Sequence, residues 1–408
     1  MTQSPFQLRR ELGFSLVELL VAVALGLLLT IAMAYAYLNS KIAFSRQQQL
    51  SSIQQGVRIA FEYLSSDIRM VGHLGCFTGS PTTPNCSGAF CNLLPTTGIA
   101  TNFGVGIEGY EYKNSQAGKL TLASNAPADD TDASHWETNV ASGAVNAIPL
   151  GTIAGNGLTP GSDVLVIRTV SGRPVRLAAN ANVGLNQATL SIETTSDQSA
   201  KCSGGTVNKV SGFCTNSYGL VASCTRARVF QVDTITPGAT PTPSTLTIKG
   251  SMGNDPSYSP AATEVFPMQT VAYYVKRSSS GTSTSLYRRV FDGDNGSGLE
   301  QELIEGVETL QVTYGTDTST TPDGAVDQYV VARGGTSTAG DSVMDWSRVV
   351  AVRMSLLIRS TVPVESDVKL SPSGMVNGVE VTYPSIGPRF DRRVFTTTVA
   401  VRNKIAYF

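Results

Sequence analysis

The twenty-five residues from Phe14 to Leu38 form an apolar run that carries a single charge, and that charge is an acid, Glu18. As a helix rising about 1.5 Å per residue, such a run reaches across a hydrocarbon core of roughly 30 Å, so it can span a bilayer. An ionisable group inside a spanning segment costs about 2.5 to 3.5 kcal/mol near the membrane centre, which makes Glu18 a candidate functional residue. The residues before the run, Met1 to Gly13, include Arg9 and Arg10 and end in glycine, as suits a short cytoplasmic leader. If that leader is cut after Gly13, Phe14 gains a positive α-amino group about 6 Å along the axis from Glu18, and a neighbouring helix could pair its own amine with this carboxylate. An ordinary secretory signal, cleaved at Ala32-Met33-Ala34 or Ala34-Tyr35-Ala36, would have the same basic and apolar regions but no use for Glu18.

Over the whole chain the charge is nearly balanced, with 30 Lys and Arg against 31 Asp and Glu, which argues against a protein that coats nucleic acid. All six cysteines, Cys76, Cys86, Cys91, Cys202, Cys214 and Cys224, follow the apolar run. An even number in an exported region favours disulfides, and with only two histidines, His73 and His135, a zinc site lacks its usual ligands. Local pairing of Cys86 with Cys91 and of Cys202 with Cys214 leaves Cys76 and Cys224 for a long-range bond. In the chain-entropy model such a bond is worth roughly 4 to 5 kcal/mol. Pairing of Cys76 with Cys86 or Cys91 stays open.

Helical periodicity continues through Leu50, Ile53, Val57, Phe61, Leu64, Ile68 and Val71, and Gly72 and Gly75 then supply a stop. A helix over 14–71 would be about 87 Å long. Gly26 weakens its membrane half by about 1 kcal/mol relative to alanine. From Cys76 onward Gly, Ser and Thr become dense and the apolar pattern shifts to period two. Strands are predicted over Asp163–Thr169, Ala227–Thr234, Thr245–Lys249, Val271–Arg277, Ser285–Phe291, Glu308–Tyr314, Val350–Arg359 and Phe395–Val401. The polar tract Asn114 to Pro160 is either an excursion on the first sheet or an insertion. The chain reads as α+β: a leader over 1–13, a long helix over 14–71 with its membrane segment at 14–38, and a large, mainly antiparallel β head over 72–408.

The stretch Gly13-Phe14-Ser15-Leu16-Val17-Glu18 after a basic leader resembles the start of type IV prepilins and pseudopilins. The resemblance implies cleavage by prepilin peptidase between Gly13 and Phe14, N-methylation of Phe14, and docking of each subunit through Glu18. Within that superfamily Tyr287-Arg288-Arg289, Gln301 to Glu308, Trp346 to Arg359 and Arg393 to Asn403 resemble minor pilins of the PilW type. This implies a structural subunit that helps initiate or cap a type IV pilus serving motility, adhesion or DNA uptake. It also implies partners: other minor pilins and the major pilin, prepilin peptidase, the inner-membrane assembly platform and a tip adhesin. The chain would cross the inner membrane once with its head in the periplasm, then join the pilus near its tip. A type II secretion pseudopilin shares the same start and is the first alternative. A tip receptor for a surface ligand or DNA is the second.

Other motifs weigh less. Gly104-Val105-Gly106-Ile107-Glu108-Gly109 has the spacing of a dinucleotide fingerprint, but Tyr110-Glu111-Tyr112 continues as strand where a helix is required. The acidic turns holding Asp292 and Asp294, and Asp323 and Asp327, read as solvated turns, with incomplete calcium loops as the alternative and no other cofactor implied. No Gly-x-Ser-x-Gly elbow is present and no enzyme activity is expected. His73 is placed to cap helix carbonyls. Arg389, Arg392, Arg393, Arg402 and Lys404 read as a solvated face or inter-subunit contact before they read as a DNA site.

Overall fold

A computed structural model describes residues 15–77, 89–95, 98–113, 118–139, 145–155, 157–183, 187–195, 201–205, 207–239, 241–250, 258–333, 344–364 and 370–402. The chain divides into two units, 1–54 and 55–408. One helix, Leu16–Arg69, runs through both. It contains no proline, and at Gly26, whose surroundings are open, the Thr30 hydroxyl also donates to the carbonyl at 2.5 Å.

In the second unit, Val57, Ala60, Leu64 and Ile68 are buried, while Phe61 is only half-buried. Ala60 takes the core place that the spacing assigned to Phe61. An alanine marks no face in a sequence, yet here it is fully buried. The helix stops at Arg69, two residues before Val71, where the N–H groups of Val71 and His73 tighten onto the carbonyls of Ile68 and Met70 and Gly72 takes a φ of 70°.

The head is organised around one strand, Thr263–Arg277. Tyr218–Ser223 and Thr284–Phe291 lie end to end along one side of it, and Val175–Arg176 and Val164–Val170 along the other. From Val164–Val170 the sheet extends through Ile107–Tyr112 and Trp136–Asn139 to Val145–Ala147. From Tyr218–Ser223 it extends through Ala227–Thr236 and Ser244–Lys249 to Gln187–Ile192. Leu299–Glu305 forms an edge beside Thr284–Phe291. A four-stranded sheet runs Gln328–Val330, Val307–Thr316, Val349–Arg359, Arg392–Ala400, and a small third sheet joins Ser373–Val376, Val379–Thr382 and Lys119–Thr121. Among the described strand pairs only Phe90–Asn92 with Ala227–Val229 and Lys119–Thr121 with its neighbour are parallel.

The period-two pattern therefore locates six of the eight predicted strands to within a residue or two. The last begins at Arg392, three residues before Phe395, and the central strand begins at Thr263, eight residues before its alternation becomes legible. Pro267 lies inside it and reads as a breaker, yet it faces Gly219 across the ladder and its carbonyl still accepts the Ser171 N–H at 2.7 Å. The polar tract divides between two sheets, its strands Trp136–Asn139 and Val145–Ala147 extending the large one and Lys119–Thr121 joining the small one.

Candidate assembly site and its support in the head

Gly13 and Phe14 lie outside the described residues. Glu18 stands in the first turn of the helix, where an acid complements the positive helix end, and it is exposed. Every residue from 15 to 41 is exposed, including large apolar ones such as Leu16, Leu19, Leu20, Leu28 and Met33. Among the described residues this is the one helix long and apolar enough to cross a membrane. A face that is apolar all round and covered by no part of its own unit suits lipid or other apolar helices.

The head holds the last turns of the helix by polar and apolar contacts together. Asp67 accepts the Tyr273 hydroxyl at 2.5 Å and the Arg288 Nε at 3.0 Å, and the same Nε donates to the Tyr273 oxygen at 3.1 Å. Burial works against the Arg288 charge, but the Asp67 carboxylate beside it holds its pKa above the ordinary value. Burial, followed by the Asp67 charge, drives the Tyr273 phenol well above its usual range, so it stays protonated and donates. Thr169 adds a hydroxyl bond to the Met70 carbonyl at 3.0 Å. The fingerprint-like glycines serve packing: a Cβ at Gly106 would press on Val71 at 3.1 Å, and one at Gly109 would overlap the Tyr314 hydroxyl. Gly109 lies within a strand, so the motif leads to no helix N-terminus.

Two disulfides brace this region. Cys76, just past the helix, bonds Cys224, with Cα atoms 4.6 Å apart at a sequence separation of 148, and Cys202 bonds Cys214. Cys91 is also disulfide-bonded, and Cys86 lies outside the described residues. The sulfurs of Cys202 and Cys214 gather with an Asp294 oxygen, but sulfurs joined to each other are not metal ligands.

The acidic turns spend their carboxylates on donors of the protein itself. Asp294 accepts the Ser203 N–H at 2.6 Å, and Asp292 pairs with Lys209 at 3.6 Å, so this turn is tied to the Cys202–Cys214 loop. Asp317 accepts the N–H groups of Ser319, Asp323 and Gly324, and Asp323 accepts that of Ala325. The Thr318 N–H and hydroxyl hold the Asp327 carboxyl below the usual range.

The arginine set does not form one surface. Arg392 is buried and clamps Glu308 through two bonds of 2.7 and 2.8 Å, while exposed Arg393 approaches Asp391 at 3.4 Å. Lys404 lies outside the described residues. The His73 ring packs edge-on against Phe266 at 5.7 Å, and burial lowers its pKa against the pull of Glu264, so it belongs to the helix-to-sheet packing. Sequence reading missed Asp67 and Tyr273. Each lies on an unremarkable stretch, and nothing local announces a partner more than a hundred residues away.

Residues 272–403 match the family model of type IV pilus-assembly protein W, and residues 8–34 match the prokaryotic N-terminal methylation motif. Together they match the chain to a type IV pilin-like, PilW-type family and support a type IV pilus-related minor pilin. The family implies other pilus components as partners, and the motif with its apolar helix fits a membrane-anchored pilin. No curated protein and no solved structure matches the chain.

Proposed function

We propose that this PilW-type chain is a structural minor pilin that takes part in initiating a type IV pilus or in its tip complex, with no catalysis of its own. The observation that carries this reading is the exposed apolar stretch of the helix whose one charge, Glu18, belongs to a prepilin-type start. Prepilin peptidase would cleave between Gly13 and Phe14, and the methylated Phe14 amine would meet the Glu18 carboxylate of a neighbouring subunit. Inside a bilayer an amine and a carboxylate each cost too much alone, so each drives the search for the other. The partners in this reading are the other minor pilins, the major pilin and the inner-membrane assembly platform. The head lies in the periplasm before assembly, and its bulk suits a filament end, where an adhesin could be presented.

The PilW match across the second half of the head supports a pilus over a type II secretion pseudopilus. Internal use of Arg392 argues against the DNA-receptor alternative. Deletion of the gene with complementation tests the proposal. Loss of surface pili, restored by the wild-type chain and accompanied by the chain in the sheared pilus fraction, is expected. Normal piliation combined with a block in protein secretion would overturn it.

A further inference from the structure

The four-stranded sheet ends on the side of Arg392–Ala400, which pairs with Val349–Arg359 and with no other described strand. Its register runs from Arg392 to Ala400 without a shift. Beyond its two ends the Ser360 N–H donates to the Asp391 carbonyl at 2.8 Å, and the Val401 N–H donates to the Val350 carbonyl at 2.9 Å. In an antiparallel ladder, residues that bond the neighbour alternate with residues whose N–H and C=O point the other way. The odd-numbered residues from Asp391 to Val401 therefore bond inward, and Val394, Thr396, Thr398 and Ala400 turn their backbone groups outward. Among the described residues none answers those groups.

A row of unpaired N–H and C=O groups is a template for another strand, and folded proteins blunt such edges with short strands, charge, proline, bulges or a covering element. Outer strands elsewhere in the two larger sheets are blunted. Val145–Ala147, Asn182–Val183 and Gln328–Val330 have only two or three residues each. Leu299–Glu305 carries Glu300, Glu302 and Glu305, its register shifts, and a Cβ at Gly56 of the helix would overlap its Ile304. From Val394 to Ala400 the last strand has neither charge nor proline nor bulge.

Both ends of this edge are basic. Arg393 is exposed at one, 3.4 Å from Asp391. Arg402, exposed two residues past the other, lines a groove with Arg58, Phe61, Glu62 and Met70 of the helix and its stop. Arg58 and Arg402 outweigh Glu62, the single acid of that groove, and Phe61 and Met70 add apolar surface. Two copies set edge to edge and antiparallel would bring the Arg393 end of each to the Arg402 end of the other, and like charges oppose such pairing. We propose that this edge accepts an extended segment of a different protein by strand addition. The segment runs antiparallel, is uncharged where it meets Val394 to Ala400, and is acidic at the N-terminal end that reaches Arg402. Main-chain bonds supply the affinity, and the acidic end supplies the choice of partner. This surface needs only the folded head, so it stands or falls apart from the pilus reading.

The probe is a fluorescent peptide of alternating Thr and Val with two aspartates at its N-terminal end, titrated against the full chain in detergent. Binding is expected, and a peptide with lysines in place of the aspartates should bind about tenfold more weakly. Thr398→Pro removes one outward N–H and leaves the bonds to Val349–Arg359 in place, so it should weaken binding about tenfold or more with the melting temperature unchanged. Arg402→Glu, at an exposed position, carries the test should the proline variant fail to fold, and should reverse the preference between the two peptides. Hydrogen exchange resolved by residue should show the Val394, Thr396, Thr398 and Ala400 N–H groups exchanging freely in the chain alone and slowed by the aspartate peptide. Those of Phe395, Thr397 and Val399 should be protected in both. Absence of binding, affinity that Thr398→Pro or Arg402→Glu leaves unchanged, or outward amides that the peptide does not slow would overturn the proposal. A dimer of the chain that Thr398→Pro dissolves would overturn it in favour of a second copy.

Discussion

Glu18 and Asp67 are acids on one helix and differ in what answers their charge. Asp67 meets Tyr273 and Arg288 within its own head. Replacing it with alanine would leave the Arg288 guanidinium largely buried without its carboxylate, at a cost of about 3 kcal/mol. Tyr273→Phe removes one hydrogen bond and should cost about 1 kcal/mol. Urea titration of the two variants checks the ordering, and equal losses would mean that the charge pair contributes little. Glu18 is exposed on an apolar stretch, and in the proposed function its answer comes from a neighbouring subunit. Glu18→Ala should leave membrane insertion intact, because the apolar run survives, and should reduce recovery in sheared pili about tenfold or more. Mass spectrometry of the mature chain should find methylated Phe14 at its start. An intact Met1 in peptidase-competent cells would contradict that expectation.

At the scale of elements, the strand Ile107–Tyr112 carries a glycine where its neighbours carry side chains. Gly109 lies under the Tyr314 hydroxyl, and that ring is itself fixed edge-on against Trp346 at 4.8 Å. An alanine would ordinarily strengthen a strand, yet Gly109→Ala should destabilise the head by about 1 to 3 kcal/mol through overpacking. Tyr314→Phe removes the oxygen that the new methyl meets, so the double variant should recover part of the loss. A double-mutant cycle measures this, with no coupling as the contrary result. The helix teaches a related lesson. Its apolar period was readable, but that Ala60 is buried and Phe61 only half-buried was decided by the fold of the second unit.

At the scale of the molecule, the Cys76–Cys224 bond closes the longer loop and should contribute about 2 kcal/mol more than Cys202–Cys214 in the chain-entropy model. Paired serine substitutions at each bond, compared by denaturation, check that ordering, and non-reducing peptide mapping checks the partners. Serine substitution at Cys202 and Cys214 proving the costlier of the two would point to strain in the longer link. By itself the sequence determined the membrane-length helix, the processing motif with Glu18, the α+β class and eight of the strands. Each rests on spacing within about twenty residues, where helix and strand periods and the length of a bilayer act directly. Tertiary structure alone decided that Asp163 accepts the N–H groups of Tyr112 and Val312, that Arg392 closes on Glu308, and that Asp67 finds Tyr273 and Arg288. Those partners are brought together from distant parts of the chain by the crossing of two sheets and a helix. Burial then sets the charge that each can hold, and no local pattern of residues records it.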